Sequence, residues 1–252
     1  MSQTMWMRCG AKSNLRSLEA RPWRMVEAQH VVSTRKWVDS DEEQAELEAL
    51  IDTAKRPVPP ALARFHYLLS TPFRHPPLAF GSRFGTRQEG GIWYGSDTLE
   101  VGLAEAAYYR LVFLAGTAAA LAPLTTTHSA FCVPVASERA VDLTRVPFVS
   151  LRARLASPSH YVDAQSLGRQ MRADGVALIR FFSARDPNGG TNIALFAPVF
   201  KAKNPGVPET WICTASPDRV EFKPLQIPGR KRVMFVRQAF EVKGHLPMPA
   251  FG

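Results

Sequence analysis

The chain has 252 residues, enough for one full-sized core and an extension, and its 46% apolar and 21% charged residues exclude general disorder. A formal charge of +9 favours anionic ligands or partners, and no apolar run approaches the roughly 20 residues that a membrane span requires. Cys9, Cys132 and Cys213 are too scattered for a disulfide framework or a paired-cysteine zinc site, and the N-terminus has no signal-peptide pattern, so the expectation is a cytoplasmic protein.

Residues 1–38 are polar and mixed. Ser40-Asp41-Glu42-Glu43 then reads as a capping box, and Leu47, Leu50, Ile51 and Ala54 follow at helical spacing. Arg56-Pro57-Val58-Pro59-Pro60 ends that helix. The expected organisation is therefore a helical N-terminal extension over 1–59 and a main domain over 60–252. A short apolar element over 61–69 contains Arg64, and 70–91 is rich in proline and glycine, as an irregular cleft-side segment would be. Ile92-Trp93-Tyr94 predicts a short strand.

Asp97-x-x-Glu100 predicts the start of a long helix with a core stripe of Val101, Ala104, Tyr108, Leu111, Val112 and Ala115. Strands are expected over 129–135 and 140–144, and a helix over 161–174 closed by Gly175. Val176 to Phe182 is a nearly continuous apolar run, the pattern of a central strand. The turn 186–190 leads into a strand over 192–196, and further strands are expected at 210–214, 219–223 and 232–240. Helices and strands are interspersed without regular βαβ alternation, which predicts an α+β fold.

Several familiar chemistries are missing. The sequence has no Walker loop, no dinucleotide glycine fingerprint, no His-Glu-x-x-His and no Gly-x-Ser-x-Gly, and no two histidines stand at metal-ligand spacing. No metal site is expected. What stands out is polar residues in unusual settings. Glu105 interrupts an apolar helical turn, on the edge of the buried stripe; an edge glutamate reaching water, or pairing with Arg110 or Arg180, would look the same. Arg83 lies between glycines in Gly81-Ser82-Arg83-Phe84-Gly85, where backbone and guanidinium can approach an anion. Ser183 ends the apolar strand and precedes Arg185, and Tyr94 is either a core aromatic or a stacking platform. Arg230-Lys231-Arg232 is the one tight basic cluster, readable as a solvated loop.

In order, Arg-Phe-His-Tyr (64–67), Gly-Ser-Arg-Phe-Gly (81–85), Gly-Ile-Trp-Tyr-Gly-Ser (91–96), Leu-Ala-Glu-Ala (103–106), Phe-Phe-Ser-Ala-Arg (181–185) and Gly-Gly-x-Asn-Ile-Ala-Leu-Phe (189–196) resemble the RES family, named for its arginine, glutamate and serine. The resemblance covers roughly 60–200 and is to a longer branch, with a capped helix before the catalytic region. It implies an ADP-ribosyltransferase-like α+β fold of mixed sheets with flanking helices. The implied function is that of a toxin of a type II toxin–antitoxin pair. Its activity would be cleavage of NAD+ at the nicotinamide–ribose bond, with inorganic phosphate as co-substrate and no prosthetic group, or transfer of ADP-ribose to a protein. By motif, Arg83, Glu105 and Ser183 match the catalytic residues, and Arg64, Tyr94 and Arg185 stand as substrate-binding candidates, with Arg74 competing with Arg64. The implied partner is an Xre-type antitoxin covering the active site. A basic nucleic-acid-binding module is the reading of another class, motivated by the +9 charge and by Arg230-Lys231-Arg232.

Overall fold

The computed structural model describes residues 3–28, 57–75, 77, 81–117 and 122–248, with a few positions between 40 and 50. A short helix α1 (Met5–Arg8) precedes strands β1 (Arg16–Ala20) and β2 (Trp23–Glu27). Helix α2 (Tyr67–Arg74) leads to β3 (Trp93–Ser96) and the long helix α3 (Leu99–Ala115). Strands β4 (Leu124–Cys132) and β5 (Val135–Asp142) are followed by α4 (Arg152–Leu155) and α5 (Val162–Ala173). The chain continues through β6 (Leu178–Phe182), β7 (Thr191–Leu195), β8 (Glu209–Ser216), β9 (Arg219–Pro224) and β10 (Val233–Val236). All ten strands share one sheet, in the order β1-β5-β6-β7-β3-β2-β4-β8-β9-β10. β5 and β6 run parallel while the other neighbours are antiparallel, which makes this the expected α+β architecture with a mixed sheet and flanking helices.

The helical N-terminal extension is corrected for residues 16–27. These form two strands of the main sheet, and β2 is inserted between β3 and β4. Alternation explains it: Trp23 and Met25 pack toward one cluster and Val26 toward another, with Arg24 on the Val26 face against Trp93, so both faces are covered at period two. Of the helix expected over 40–56, the positions described are helical at 42–43, 45–47 and 50, and the Glu43 amide donates to Ser40 Oγ at 3.1 Å. The rest of that stretch lies outside the described residues.

The central strands are apolar on both faces for the same reason. Ile179, Phe181 and Ala194 pack with α5, Phe84 and Val141, while Leu178, Ile193 and Leu195 pack with α2, Trp93 and Phe200 on the other side. Helix α3 is buried over most of its surface, through Leu99, Val101, Leu103, Ala104, Ala107, Tyr108, Leu111 and Leu114, while Glu100, Tyr109, Phe113 and Ala115 are exposed. Its N-cap is Thr98, whose hydroxyl accepts from the Val101 amide at 3.3 Å, and not Asp97. Asp97 instead accepts from Arg180 Nε at 3.0 Å and from Thr191, tying the helix entry to β6 and β7. The strands expected at 129–135 and 140–144 both begin and end earlier, at 124–132 and 135–142, and the one expected at 232–240 ends at Val236 before a single helical turn.

Candidate active site

A cleft of about 530 Å³ opens where α3 crosses β2 and β3, a volume inside the roughly 300–1,000 Å³ of small-molecule sites. Backbone pairing of β2 with β3 occurs at Trp23–Ser96, and beyond it the Tyr94 carbonyl accepts from Arg24 Nη1 at 2.6 Å. The cleft wall includes Arg83, Tyr94, Glu105 and Arg185, so the glycine-flanked arginine and the glutamate of the long helix face one cavity.

Glu105 is held by one oxygen. Its Oε1 accepts from Ser183 Oγ at 2.6 Å and from Asn192 Nδ2 at 2.7 Å, and among the described residues no hydrogen-bond partner engages Oε2. Asn192 is oriented in turn by Ser96, whose hydroxyl donates to Asn192 Oδ1 at 2.7 Å. Ser183 accepts from the amides of Arg185 and Asp186, both at 3.0 Å, so its proton is directed at the carboxylate. Ser96, Ser183 and Asn192 are each about 5% exposed or less, so the groups that hold Oε1 are shielded from water, while Glu105 itself is half-buried at the cleft. The alternative partners of Glu105 are engaged elsewhere: Arg180 with Asp97, and Arg110 with Glu27.

The guanidinium groups are held differently. Arg83 Nη1 donates to the carbonyls of Leu155 and Ser157 at 3.2 and 2.9 Å, and the guanidinium lies 4.6 Å above the Tyr161 ring. Arg185, 4% exposed, donates from Nη2 to the Pro158 carbonyl at 2.6 Å and to the Tyr161 hydroxyl at 3.2 Å, and stacks 3.5 Å over Tyr108. Burial pushes the Tyr108 hydroxyl up to about 12, so this ring stays neutral under the cation. Among the described residues Arg185 Nη1 and Arg24 Nε are buried with no hydrogen-bond partner. Among the described residues none of these three arginines forms an ion pair. Burial draws the Arg24 guanidinium down to about 10, which leaves it charged at neutral pH, 5.5 Å from the Trp93 ring centre.

The loop carrying Arg83 is positioned by close backbone packing. Gly81 has φ +78°, and a Cβ there would lie 2.5 Å from the Gly85 carbonyl oxygen, so only glycine fits. Gly168 on α5 approaches closely enough that a Cβ would sit 2.1 Å from the Phe84 carbonyl oxygen. The Tyr94 hydroxyl accepts from the Phe84 amide at 3.2 Å and lies 3.0 Å from Ser82 Oγ, and burial raises its pKa above the usual phenol value. Tyr94 is thus both a wall of the cleft and a support of the arginine loop.

Arg64 does not reach the cleft. It is exposed, with its guanidinium 4.8 Å from the Phe65 ring, because the chain enters α2 with Phe65 turned inward and Arg64 outward. Neither it nor Arg74 lines the cavity. Sequence reasoning missed Arg24, Asn192, Ser96 and Tyr161; an asparagine inside an otherwise apolar strand, depleted there by propensity, was a usable signal for Asn192. Among the described residues no three of His, Cys, Asp and Glu gather as a metal site, and no helix is long and apolar enough to cross a membrane.

The RES-domain family matches residues 58–214, and the chain belongs to that family. Of the residues lining the cleft, Trp23, Arg24 and Met25 on β2 lie outside the matched span. A chain from the crystal structure of the M. tuberculosis MbcT–MbcA toxin–antitoxin complex is 14% identical and is similar over 80% of this chain and 87% of its own, with a TM-score of 0.41. No curated protein matches the sequence.

Proposed function

We propose that this protein cleaves NAD+ at the nicotinamide–ribose bond with inorganic phosphate, giving ADP-ribose-1″-phosphate and nicotinamide, as the toxin of a toxin–antitoxin pair. The observation that carries this reading is the single carboxylate of Glu105, fixed by Ser183 and Asn192, in the same cleft as Arg24, Arg83 and Arg185. That set complements a dinucleotide with a dianionic pyrophosphate and a cationic leaving group.

Nicotinamide departs as a neutral ring, taking the C–N electron pair, so no strong acid is needed at the leaving group. The barrier lies in the positive charge that develops on the ribose, as in glycoside hydrolysis. Glu105 meets that charge with Oε2 while Oε1 stays anchored, so little reorganisation is needed as the charge forms; preorganised stabilisation of this kind is typically worth about 3–4 kcal/mol. Arginine forks bind the phosphate oxygens, and Tyr94 offers a ring face to the base or the nicotinamide.

The partner that the family resemblance implies is an Xre-type antitoxin, and the net charge of +9 favours an acidic one. Two observations weigh against a nucleic-acid-binding role for the basic cluster: Arg230 is paired with Glu209 at 2.8 Å and Arg232 lies 3.6 Å from Glu221. The test is incubation of the purified protein with NAD+, with and without phosphate, followed by product analysis. Glu105→Gln keeps the shape and removes the charge, so NAD+ loss should fall at least about a hundredfold with folding intact. Near-normal consumption by that variant defeats the assignment, and a mass increment on a protein instead of free product would make the activity a protein ADP-ribosylation.

A further inference from the structure

The arginines of the cleft belong to two separately built walls. Arg24 rises from β2 and is fastened to the Tyr94 carbonyl beside Trp93. Arg83 and Arg185 come from different loops but converge on Tyr161, one over its ring and the other on its hydroxyl. Carbonyls of one short segment, Leu155, Ser157 and Pro158, fix both groups. Among the described residues neither guanidinium is paired with a carboxylate, so two cations brought to one tyrosine repel each other, and the buried Nη1 of Arg185 has no acceptor there. A dianion bound there would relieve both costs.

Position gives this pair its role. Arg185 stands two residues after Ser183, on the turn whose serine hydroxyl donates to Glu105. An anion held by Arg185 is therefore kept beside the carboxylate that faces the reacting ribose, whereas Arg24 is anchored to the strands on the other wall. We propose that Arg83, Arg185 and Tyr161 form the subsite for the attacking inorganic phosphate, and that Arg24 belongs to the separate pyrophosphate subsite. This assignment rests on the NAD+-cleaving reading above. In the step it serves, a hydrogen phosphate oxygen forms a bond to the ribose C1″ as the C–N bond breaks, and its electron pair leaves on nicotinamide. The phosphate keeps its proton in the monoester product, so no further acid, base or oxidant is required.

Two measurements test the subsite. The first is the thermal unfolding midpoint in inorganic phosphate against chloride at equal ionic strength, without NAD+. Phosphate should stabilise the wild-type protein, stabilise Arg185→Lys less, and leave Arg185→Met unmoved. The second is the dependence of NAD+ loss on each substrate. Arg185→Met should raise the half-saturating phosphate concentration at least about tenfold and that of NAD+ less than about twofold, with Arg24→Met showing the reverse split. If Arg185→Met is poorly folded, Arg185→Lys reads the same split, because a point charge cannot reproduce the fork. No phosphate stabilisation of the wild type overturns the subsite, and so does a common shift of the same substrate in Arg185 and Arg24 variants. A wild-type protein that is stabilised by phosphate but never consumes NAD+ overturns the proposed function while the anion subsite stands.

Discussion

The two sides of the cleft are finished to different degrees. On the carboxylate side, Ser96, Asn192, Ser183 and Glu105 pass hydrogen bonds along a closed chain that ends on a single oxygen of Glu105. On the guanidinium side, Arg24 and Arg185 each carry a buried N–H with no acceptor, although a buried unmade hydrogen bond costs about 1–3 kcal/mol. A group that must meet a developing charge is held rigid before substrate arrives, while groups that bind a permanent anion are left open for it. In the proposed reading the polar chain belongs to the fold and the cleft's open donors are there for the ligand.

Asn192→Asp is the strongest way to break the closed side. The amide that donates to Glu105 at 2.7 Å becomes a second carboxylate, and repulsion at that distance raises one pKa of the pair, so that ionising both at pH 7.5 is costly. At pH 7.5, NAD+ turnover should fall about a hundredfold, and the deficit should shrink toward pH 5 as the pair shares a proton. Stability carries the same sign. A carboxyl raised in the folded state above its unfolded value contributes stability at low pH that is lost as the pH rises through the folded pKa. Urea unfolding should therefore show the variant weaker at pH 7.5 than at pH 5.5 relative to wild type. An equal deficit at both values would mean that the chain from Ser96 to Glu105 does not hold the charge as described.

Which side was legible in the sequence follows from the same contrast. The strand at 178–182, the turn at 186–190 and the long helix were readable because apolar period and turn chemistry are local. Arg83, Glu105 and Ser183 stood out because a polar residue in an apolar or glycine-rich setting is visible without its neighbours. Arg24 was not legible. Its strand is five residues long, and its neighbours β3 and β4 lie roughly 70 and 100 residues away, so no local pattern says that this arginine faces a cleft. Arg64 failed in the opposite direction: it sits in a recognisable string, yet the turn into α2 points it at solvent. Thr98 displaced Asp97 as the helix cap because Asp97 was already committed to Arg180 and Thr191, a contact between residues more than 80 apart.

The open side can be disturbed without touching a charged group. Gly168 lets α5 lie against the backbone of the arginine loop, and alanine there would place a Cβ 2.1 Å from the Phe84 carbonyl oxygen. Alanine improves helix propensity by about 1 kcal/mol, but the clash is with backbone, and overpacking typically costs about 1–3 kcal/mol. Gly168→Ala should thus lower stability despite its propensity, and the displaced Arg83 should weaken phosphate-dependent turnover about tenfold. A stabilised Gly168→Ala with unchanged turnover would show that the loop is not held by this contact.

A closed polar cluster away from the cleft tests the same rule. His128 is buried on β4 with Nε2 3.3 Å from Arg110 Nη2, and Arg110 is also paired with Glu27. Arginine has no acceptor, so His128 must accept through an unprotonated Nε2. Burial first, and then the Arg110 charge, hold its pKa down to about 4, below the ordinary value of 6.5. Below pH 6.5 the unfolded chain takes up a proton that the folded chain refuses, so this group costs stability progressively as pH falls toward 4. At pH 5 the loss relative to pH 7 is about 2 kcal/mol, and His128→Gln, which accepts from Arg110 without titrating, should remove it. Urea unfolding of both proteins at the two pH values reads the difference directly. A wild-type protein that loses no more than His128→Gln on acidification would mean that the imidazole is already charged in the fold, with Arg110 turned away from it.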